Sequence, residues 1–114
     1  MNIQKFHIYL ADLEPSFGAE PGKIRPVIVV QTNHLNSIHS TTIICPLTSK
    51  VIGDQIYPLR LRLKSKDSGL MVDSDILIDQ IRAIDNRRFR KHVGSLPVNK
   101  EKQLMEAIQM LLFE

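Results

Sequence analysis

The sequence predicts a mainly β protein, a small and partly open β-barrel with one helix packed on it. Three observations predict it. Short apolar runs rich in β-branched residues fill the first two-thirds of the chain, as at Val27-Ile28-Val29-Val30 and Ile43-Ile44-Cys45. Leu59 to Lys64 alternates strictly between leucine and a basic residue. Apolar residues switch to helical spacing only after Pro97. Several short strands followed by a terminal helix bury their apolar faces as a curled sheet with the helix against it.

Taken in order, Phe6 to Asp12 is a short apolar and aromatic first strand. Pro26 to Gln31 is a β-branched run, the pattern of a strand buried on both faces, and Thr41 to Leu47 repeats it. In Pro58 to Lys64, Leu59, Leu61 and Leu63 face one way while Arg60, Arg62 and Lys64 face the other, a half-buried strand with a solvated basic side. Ile76 to Ile84 reads as one further strand, followed by a solvated basic cluster of Arg87, Arg88, Arg90 and Lys91. A helix begins at Asn99 as N-cap after Pro97. Its stripe is Leu104, Ile108, Leu111 and Leu112, widened by Met105. No repeat or linker divides the chain, so one domain is expected over residues 1–114.

Two connections stand out. Glu14 to Lys23 exceeds the roughly 4–6 residues of an ordinary loop and carries two Pro, two Gly, two Glu and Phe17. Loops of that size are commonly functional. The second, Thr48 to Tyr57, contains Lys50, Gly53 and Asp54.

Composition narrows the class. The chain has 114 residues, 43% hydrophobic and 24% charged, as a globular domain with one core requires. The net charge of +3 favours polyanionic partners without establishing them. The single cysteine, Cys45, cannot form an internal disulfide, which fits a reducing compartment. Its apolar neighbours make it a small buried hydrophobe rather than a nucleophile. No run approaches the roughly 18 apolar residues of a membrane span, and Met1 to Lys5 lacks the apolar core of a signal peptide. A cytoplasmic protein is expected.

Chemistry follows from pairing two strands. If Pro26–Gln31 and Thr41–Leu47 run antiparallel with Gln31 opposite Thr42, the same register sets Arg25 opposite Thr48. Residues directly opposite share a face, so the two would sit side by side under the long first loop. Pro26 biases Arg25 to extended backbone. A guanidinium matches phosphate oxygens as a bidentate fork, and a neighbouring hydroxyl can orient an attacking group. Phosphodiester chemistry is one reading of this pair; a surface Arg beside a solvated Thr is the other. Lys23 and Lys50 gather near the same place. Asp73, Asp75 and Asp79 lack the further ligands and loop glycine of a metal site, and Asp73-Ser74-Asp75 reads as a solvated strand entry. His7, His34, His39 and His92 have no metal-ligand spacing.

Gly22-Lys23-Ile24-Arg25-Pro26-Val27-Ile28-Val29-Val30-Gln31 resembles the signature of the MazF/PemK family of toxin ribonucleases. Ile8 to Pro15, Gly18-Ala19-Glu20, Pro46-Leu47-Thr48-Ser49 and Ile76 to Asp85 are similar to further family segments, in order and with compatible spacing. The departures are Lys5-Phe6-His7, where the family often has Gly-Asp, and Pro21, where the first loop commonly has Gln. The resemblance implies an SH3-like barrel with a C-terminal helix, of the PemK/CcdB type, working as a homodimer. It implies cleavage of single-stranded RNA with no metal or cofactor, and neutralisation by a cognate antitoxin. The family's essential Arg and Thr map onto Arg25 and Thr48. Glu20 and Ser49 correspond to supporting catalytic positions and Gln80 to an RNA-contacting one. Beside the resemblance, Lys23 and Lys50 would track an RNA backbone, and Phe17 is either a base-stacking side chain or a loop anchor. The general base stays open between Glu20 and a group of the second subunit. The alternative is a non-catalytic toxin of the same barrel that binds and poisons DNA gyrase; Arg25 with Thr48 separates the two, since a gyrase binder needs neither.

Overall fold

The computed structural model of the chain describes residues 1–53 and 57–114. Asp54, which the sequence placed in the second long connection, lies outside the described residues. The elements are β1 (His7–Asp12), β2 (Ile24–Val29), α1 (Asn33–Asn36), β3 (Thr41–Thr48), β4 (Arg60–Leu63), α2 (Ser65–Ser68), β5 (Ser74–Leu77), β6 (Arg82–Asp85), β7 (Phe89–Ser95) and α3 (Val98–Phe113). All ladders are antiparallel, in the order β4-β5-β3-β2-β1-β7, with β6 also beside β3.

Strand β3 organises the sheet. Its first half, Thr41 to Ile44, pairs with β6, and its last two residues, Leu47 and Thr48, pair with β5. One strand thus serves two neighbours on one side and β2 on the other, which bends the sheet around it. Among the described residues no ladder joins β7 to β4 or β6, so the barrel stays open.

The sheet is buried on both faces. Val27 and Val29 point into one cluster with Tyr9, Leu13, Ile44, Ile84 and Phe89. Ile28 points into the other with Leu47, Leu61, Leu63, Leu104 and Ala107. This explains why β2 and β3 read as continuous apolar runs rather than as alternations.

The structure corrects four expectations about elements. Residues 76–84 are not one strand: Ile78–Gln80 forms a 3-10 turn between β5 and β6. The chain must step there from one end of β3 to the other, and the Ile78 N–H is satisfied by the Leu59 carbonyl at 2.9 Å. The basic cluster after residue 85 is not free loop. Asn86–Arg88 is a second 3-10 turn and Phe89 opens edge strand β7; charged side chains on an edge strand hide its periodicity and discourage pairing with other chains. At the head of that turn Asp85 accepts hydrogen bonds from the Arg87 side chain and backbone, which hold its carboxyl down at about 2. Helix α3 starts at Val98 with Pro97 as N-cap, so Asn99 lies inside the first turn. The Pro97 carbonyl accepts from Lys100 N at 2.9 Å. The buried stripe is Leu104 and Ala107 with Ile108 and Leu111 packed beside it, while Met105 and Leu112 are 44% and 53% exposed. Four-residue helices α1 and α2 are too short to leave a periodic signal.

Where β7 passes α2, a side chain at Gly94 would drive its Cβ into the Ser68 carbonyl oxygen. Gly69, at φ 85°, closes α2 in the left-handed conformation that glycine adopts without strain.

Candidate active site

The β2–β3 ladder pairs Val27 with Pro46, Ile28 with Cys45 and Val29 with Ile44. This is the register the sequence implied. Continued past Pro26, which has no N–H to give the ladder, it sets Arg25 opposite Thr48. The half-buried Arg25 guanidinium donates through Nε to the Gly22 carbonyl at 2.9 Å, and its Nη1 lies 3.5 Å from the Leu47 carbonyl. Thr48 ends β3, and its Oγ1 accepts from Lys50 N at 3.1 Å, turning the chain sharply away from the strand.

The loop before Arg25 is folded onto itself. The Glu14 carboxylate accepts from Lys23 N, and Glu20 Oε1 accepts from Phe17 N at 3.0 Å. Lys23 takes a left-handed φ of 64°. The Glu14 carboxylate and the Ser16 side chain close over Gly22, where a Cβ would displace them. Arg88 donates to the carbonyls of Asp12 and Glu14 and pins the loop's base. It therefore leaves the solvated basic cluster in which the sequence placed it.

These pieces wall an open groove of about 980 Å³. Glu20, Lys23, Arg25, Thr48, Ser49 and Lys50 line it together. Phe17 does not line it; its side chain stands in solvent, 85% exposed. Gln80 lines an adjoining smaller cavity of about 240 Å³ with Asp79 and Arg60, which shares Ala19, Pro21 and Leu77 with the main groove. The groove has lining that the sequence did not place there: Lys91 of β7 and the exposed apolar pair Met71 and Val72. Lys91 sits opposite Leu10 in the β1–β7 ladder, so its place is visible only once β7 is known to be a strand. Four basic side chains thus face one carboxylate, a surface suited to a polyanion.

Below the groove the sequence reading fails at Asp75. It is not a solvated strand entry but fully buried, and Arg60 and Arg62 are not a solvated face. Asp75 Oδ2 accepts from Arg60 Nη1 at 3.1 Å, and Asp75 Oδ1 accepts from Arg62 Nε. An unpaired carboxylate would be too costly to bury, so the two guanidinium groups account for its place.

Of the remaining candidates, His92 lines the groove and the others stand outside its lining. Burial, and then the nearby Asp79 carboxylate, push the Cys45 thiol up to about 12, so it is an inert buried side chain. His7 and His92, which the sequence could not pair, meet at 3.0 Å across β1 and β7. Burial and the facing imidazole lower the His7 pKa. Among the described residues no group of three or more His, Cys, Asp or Glu is arranged to hold a metal ion. None of the helices among them is long and apolar enough to cross a membrane.

An open antiparallel barrel with an Arg–Thr pair at the ends of two central strands, in a basic groove, defines a class that the comparisons identify. The profile of the PemK-like, MazF-like toxins of type II toxin–antitoxin systems matches residues 4–112. The chain belongs to this family. Endoribonuclease EndoA of Bacillus subtilis (strain 168) is 32% identical over 112 residues, covering 98% of this chain and 96% of that one. The crystal structure of MazF from Deinococcus radiodurans superposes with a TM-score of 0.83 at 24% identity, over 100% of this chain and 99% of that one. A MazE–MazF structure from the same organism gives 0.77 at 20% identity, over 99% and 97%. The gyrase-binding alternative finds no support in these relatives.

Proposed function

We propose that this toxin is an endoribonuclease of one domain over residues 1–114 that cleaves single-stranded RNA, and that a cognate antitoxin neutralises it. The observation that carries the reading is Arg25 beside Thr48 at the floor of a basic groove. The name of the Bacillus subtilis relative, an endoribonuclease, and the MazE-bound Deinococcus radiodurans structure support the activity and the partner.

The ribose 2′-oxygen attacks the adjacent phosphorus, the bond to the 5′-oxygen breaks, and the products are a 2′,3′-cyclic phosphate and a 5′-OH. Only RNA supplies that nucleophile. Arg25 stabilises the charge gathering on the phosphorane oxygens. Thr48 and Ser49 hold a phosphoryl oxygen and orient the 2′-OH. Arg25 stays protonated and is no base. Glu20 is the carboxylate among the groove-lining residues, and we assign it the 2′-OH proton; water returns a proton to the leaving oxygen. Lys23 and Lys50 track the backbone, Gln80 reads a base in the adjoining cavity, and exposed Phe17 stacks on another. In-line attack needs a splayed backbone, which favours single strands over A-form helix. A second copy of the chain is the expected partner for the exposed apolar Met105, Leu112 and Phe113 of α3.

The test is cleavage of a long single-stranded RNA in excess EDTA by wild type, Arg25→Ala and Glu20→Gln, with product ends identified. Cleavage by wild type that leaves 5′-OH ends and is lost in Arg25→Ala is the expected result. Loss of wild-type cleavage in EDTA, or equal cleavage by Arg25→Ala, refutes the mechanism. Glu20→Gln at wild-type rate moves the base elsewhere.

A further inference from the structure

Strand register places a row of polar side chains across four strands. The β2–β3 register, continued two residues past its last pair, sets Arg25 opposite Thr48; Thr48 is paired with Asp75 of β5, and Asp75 with Arg62 of β4. Directly opposed residues point to one face, so a fully buried carboxylate sits immediately beside the hydroxyl end of the groove pair. The Asp75 carboxylate makes no hydrogen bond to the Thr48 side chain. It holds Arg60 and Arg62 instead, and each guanidinium also donates to the chain that leaves Thr48, Arg62 through a different nitrogen and Arg60 through the same Nη1. Arg60 Nη1 donates to the Lys50 carbonyl at 3.1 Å, and Arg62 Nη2 donates to the Ile52 carbonyl.

We infer that Asp75, through Arg60 and Arg62, is the positioning residue of the cleavage site, gripping the backbone of residues 50–52 so that Thr48, Ser49 and Lys50 keep their places along the groove. The inference rests on the ribonuclease reading for its consequence in rate, but not for its consequence in structure. Among the described residues, the segment it fixes has little else to hold it. Lys50 N is bonded to the Thr48 side chain and Val51 N to the Ser49 carbonyl at 3.0 Å, both local turns. Ser49, Lys50, Val51 and Ile52 are all exposed. Two guanidinium groups bridging a buried carboxylate to two carbonyls supply what core packing does not. Fixing such a segment matters because a misplacement of about 1 Å can cost about 10²-fold in rate.

Two variants test it, Asp75→Asn and the double Arg62→Ile/Asp75→Val. The double variant replaces a buried ion pair by apolar β-formers, which commonly preserves stability, and it carries the test if Asp75→Asn folds poorly. Amide hydrogen exchange at Lys50 and Val51 is read by NMR, and single-turnover RNA cleavage is read beside it. We expect exchange at these two amides to rise by about tenfold or more in both variants, with β2 and β3 core amides unchanged in the double. We expect cleavage to fall by about 10- to 100-fold, and to stay low in the double even where its melting temperature equals that of wild type. Unchanged exchange at Lys50 and Val51 overturns the clamp. Wild-type cleavage by the double variant overturns the positioning role and leaves Asp75 a stabilising residue alone. If wild type itself cleaves no RNA, the ribonuclease reading falls, and the exchange measurement still decides the clamp.

Discussion

Replacing Arg25 by Lys keeps the charge and removes the fork, which separates attraction of RNA from stabilisation of the phosphorane. The native guanidinium commits Nε to the Gly22 carbonyl at 2.9 Å and reaches the Leu47 carbonyl only weakly at 3.5 Å. Nη2 and part of Nη1 therefore remain to face the groove as a fixed pair of donors. A lysine ammonium is a single point on a flexible stem and restores neither the backbone anchor nor the paired geometry. Loss of one such preorganised donor costs about 10²–10³ in rate, or roughly 2.7–4 kcal/mol of transition-state stabilisation. Ground-state affinity rests on charge and should stay within about threefold. Loss of the Gly22 bond takes about 0.5–1.5 kcal/mol from folding, a melting shift of about 3–8 °C that leaves the variant folded at 25 °C. The assay is single-turnover cleavage with enzyme in excess, alongside binding of the same sequence as a 2′-deoxy strand, which has no nucleophile. A Lys variant within threefold of the wild-type rate refutes the role given to the fork. An equal fall in binding and rate refutes the assignment to the transition state.

Three further predictions follow from particular contacts. Lys91→Ala should weaken RNA binding and lower the slope of log K against log salt by about 0.7, the increment for one phosphate contact on a single strand; an unchanged slope, measured by fluorescence anisotropy, removes Lys91 from the RNA path. Gly94→Ala drives a Cβ into the Ser68 carbonyl and should cost about 1–3 kcal/mol by overpacking; a urea midpoint equal to wild type contradicts the close approach of β7 to α2. The Cys45 thiol should resist alkylation at pH 8 in the native protein and react fully in urea. Because folding raises it to about 12, it adds stability that is complete below its unfolded value of roughly 8.5 and is lost as pH rises toward 12. Cys45→Ala should flatten that alkaline limb in pH-dependent urea melts.

How far the sequence could be read depended on whether a signal was local. The β2–β3 register could be drawn because both strands are apolar on both faces, and setting Gln31 opposite Thr42 at their near ends brings Arg25 opposite Thr48 at the far ends. The alternation of Leu61 and Leu63 with Arg60 and Arg62 gave the strand and its buried face correctly. It could not reveal that the other face is partly covered too. That depends on Asp75 arriving from β5, and a carboxylate between Ser74 and Ile76 looks the same in sequence whether it meets solvent or two guanidinium groups. The step at Ile78–Gln80 was hidden for a related reason: its cause is the exchange of partners along β3, a fact of topology. Strand β7 was lost because Arg90 and Lys91 outweigh Phe89 and Val93 in any apolar pattern. With β7 went Lys91, and with it the far wall of the groove.

The sequence's basic residues thus divide by what they face, not by where they cluster. Arg60 and Arg62 are spent on Asp75, Arg87 on Asp85, Arg90 on Asp12, and Arg88 on backbone carbonyls. Lys23, Arg25, Lys50 and Lys91 line the groove and have no carboxylate within ion-pair distance among the described residues. Salt acts differently on the two sets. At about 0.15 M ionic strength the screening length is roughly 8 Å, which weakens charges in an open groove and leaves pairs to a buried carboxylate almost untouched. Raising salt should therefore loosen RNA while the Asp75 clamp keeps the Lys50 and Val51 amides slow to exchange. A groove that lost its RNA and its ordered wall at the same salt concentration would mean that the wall is held by the ligand, not by Asp75.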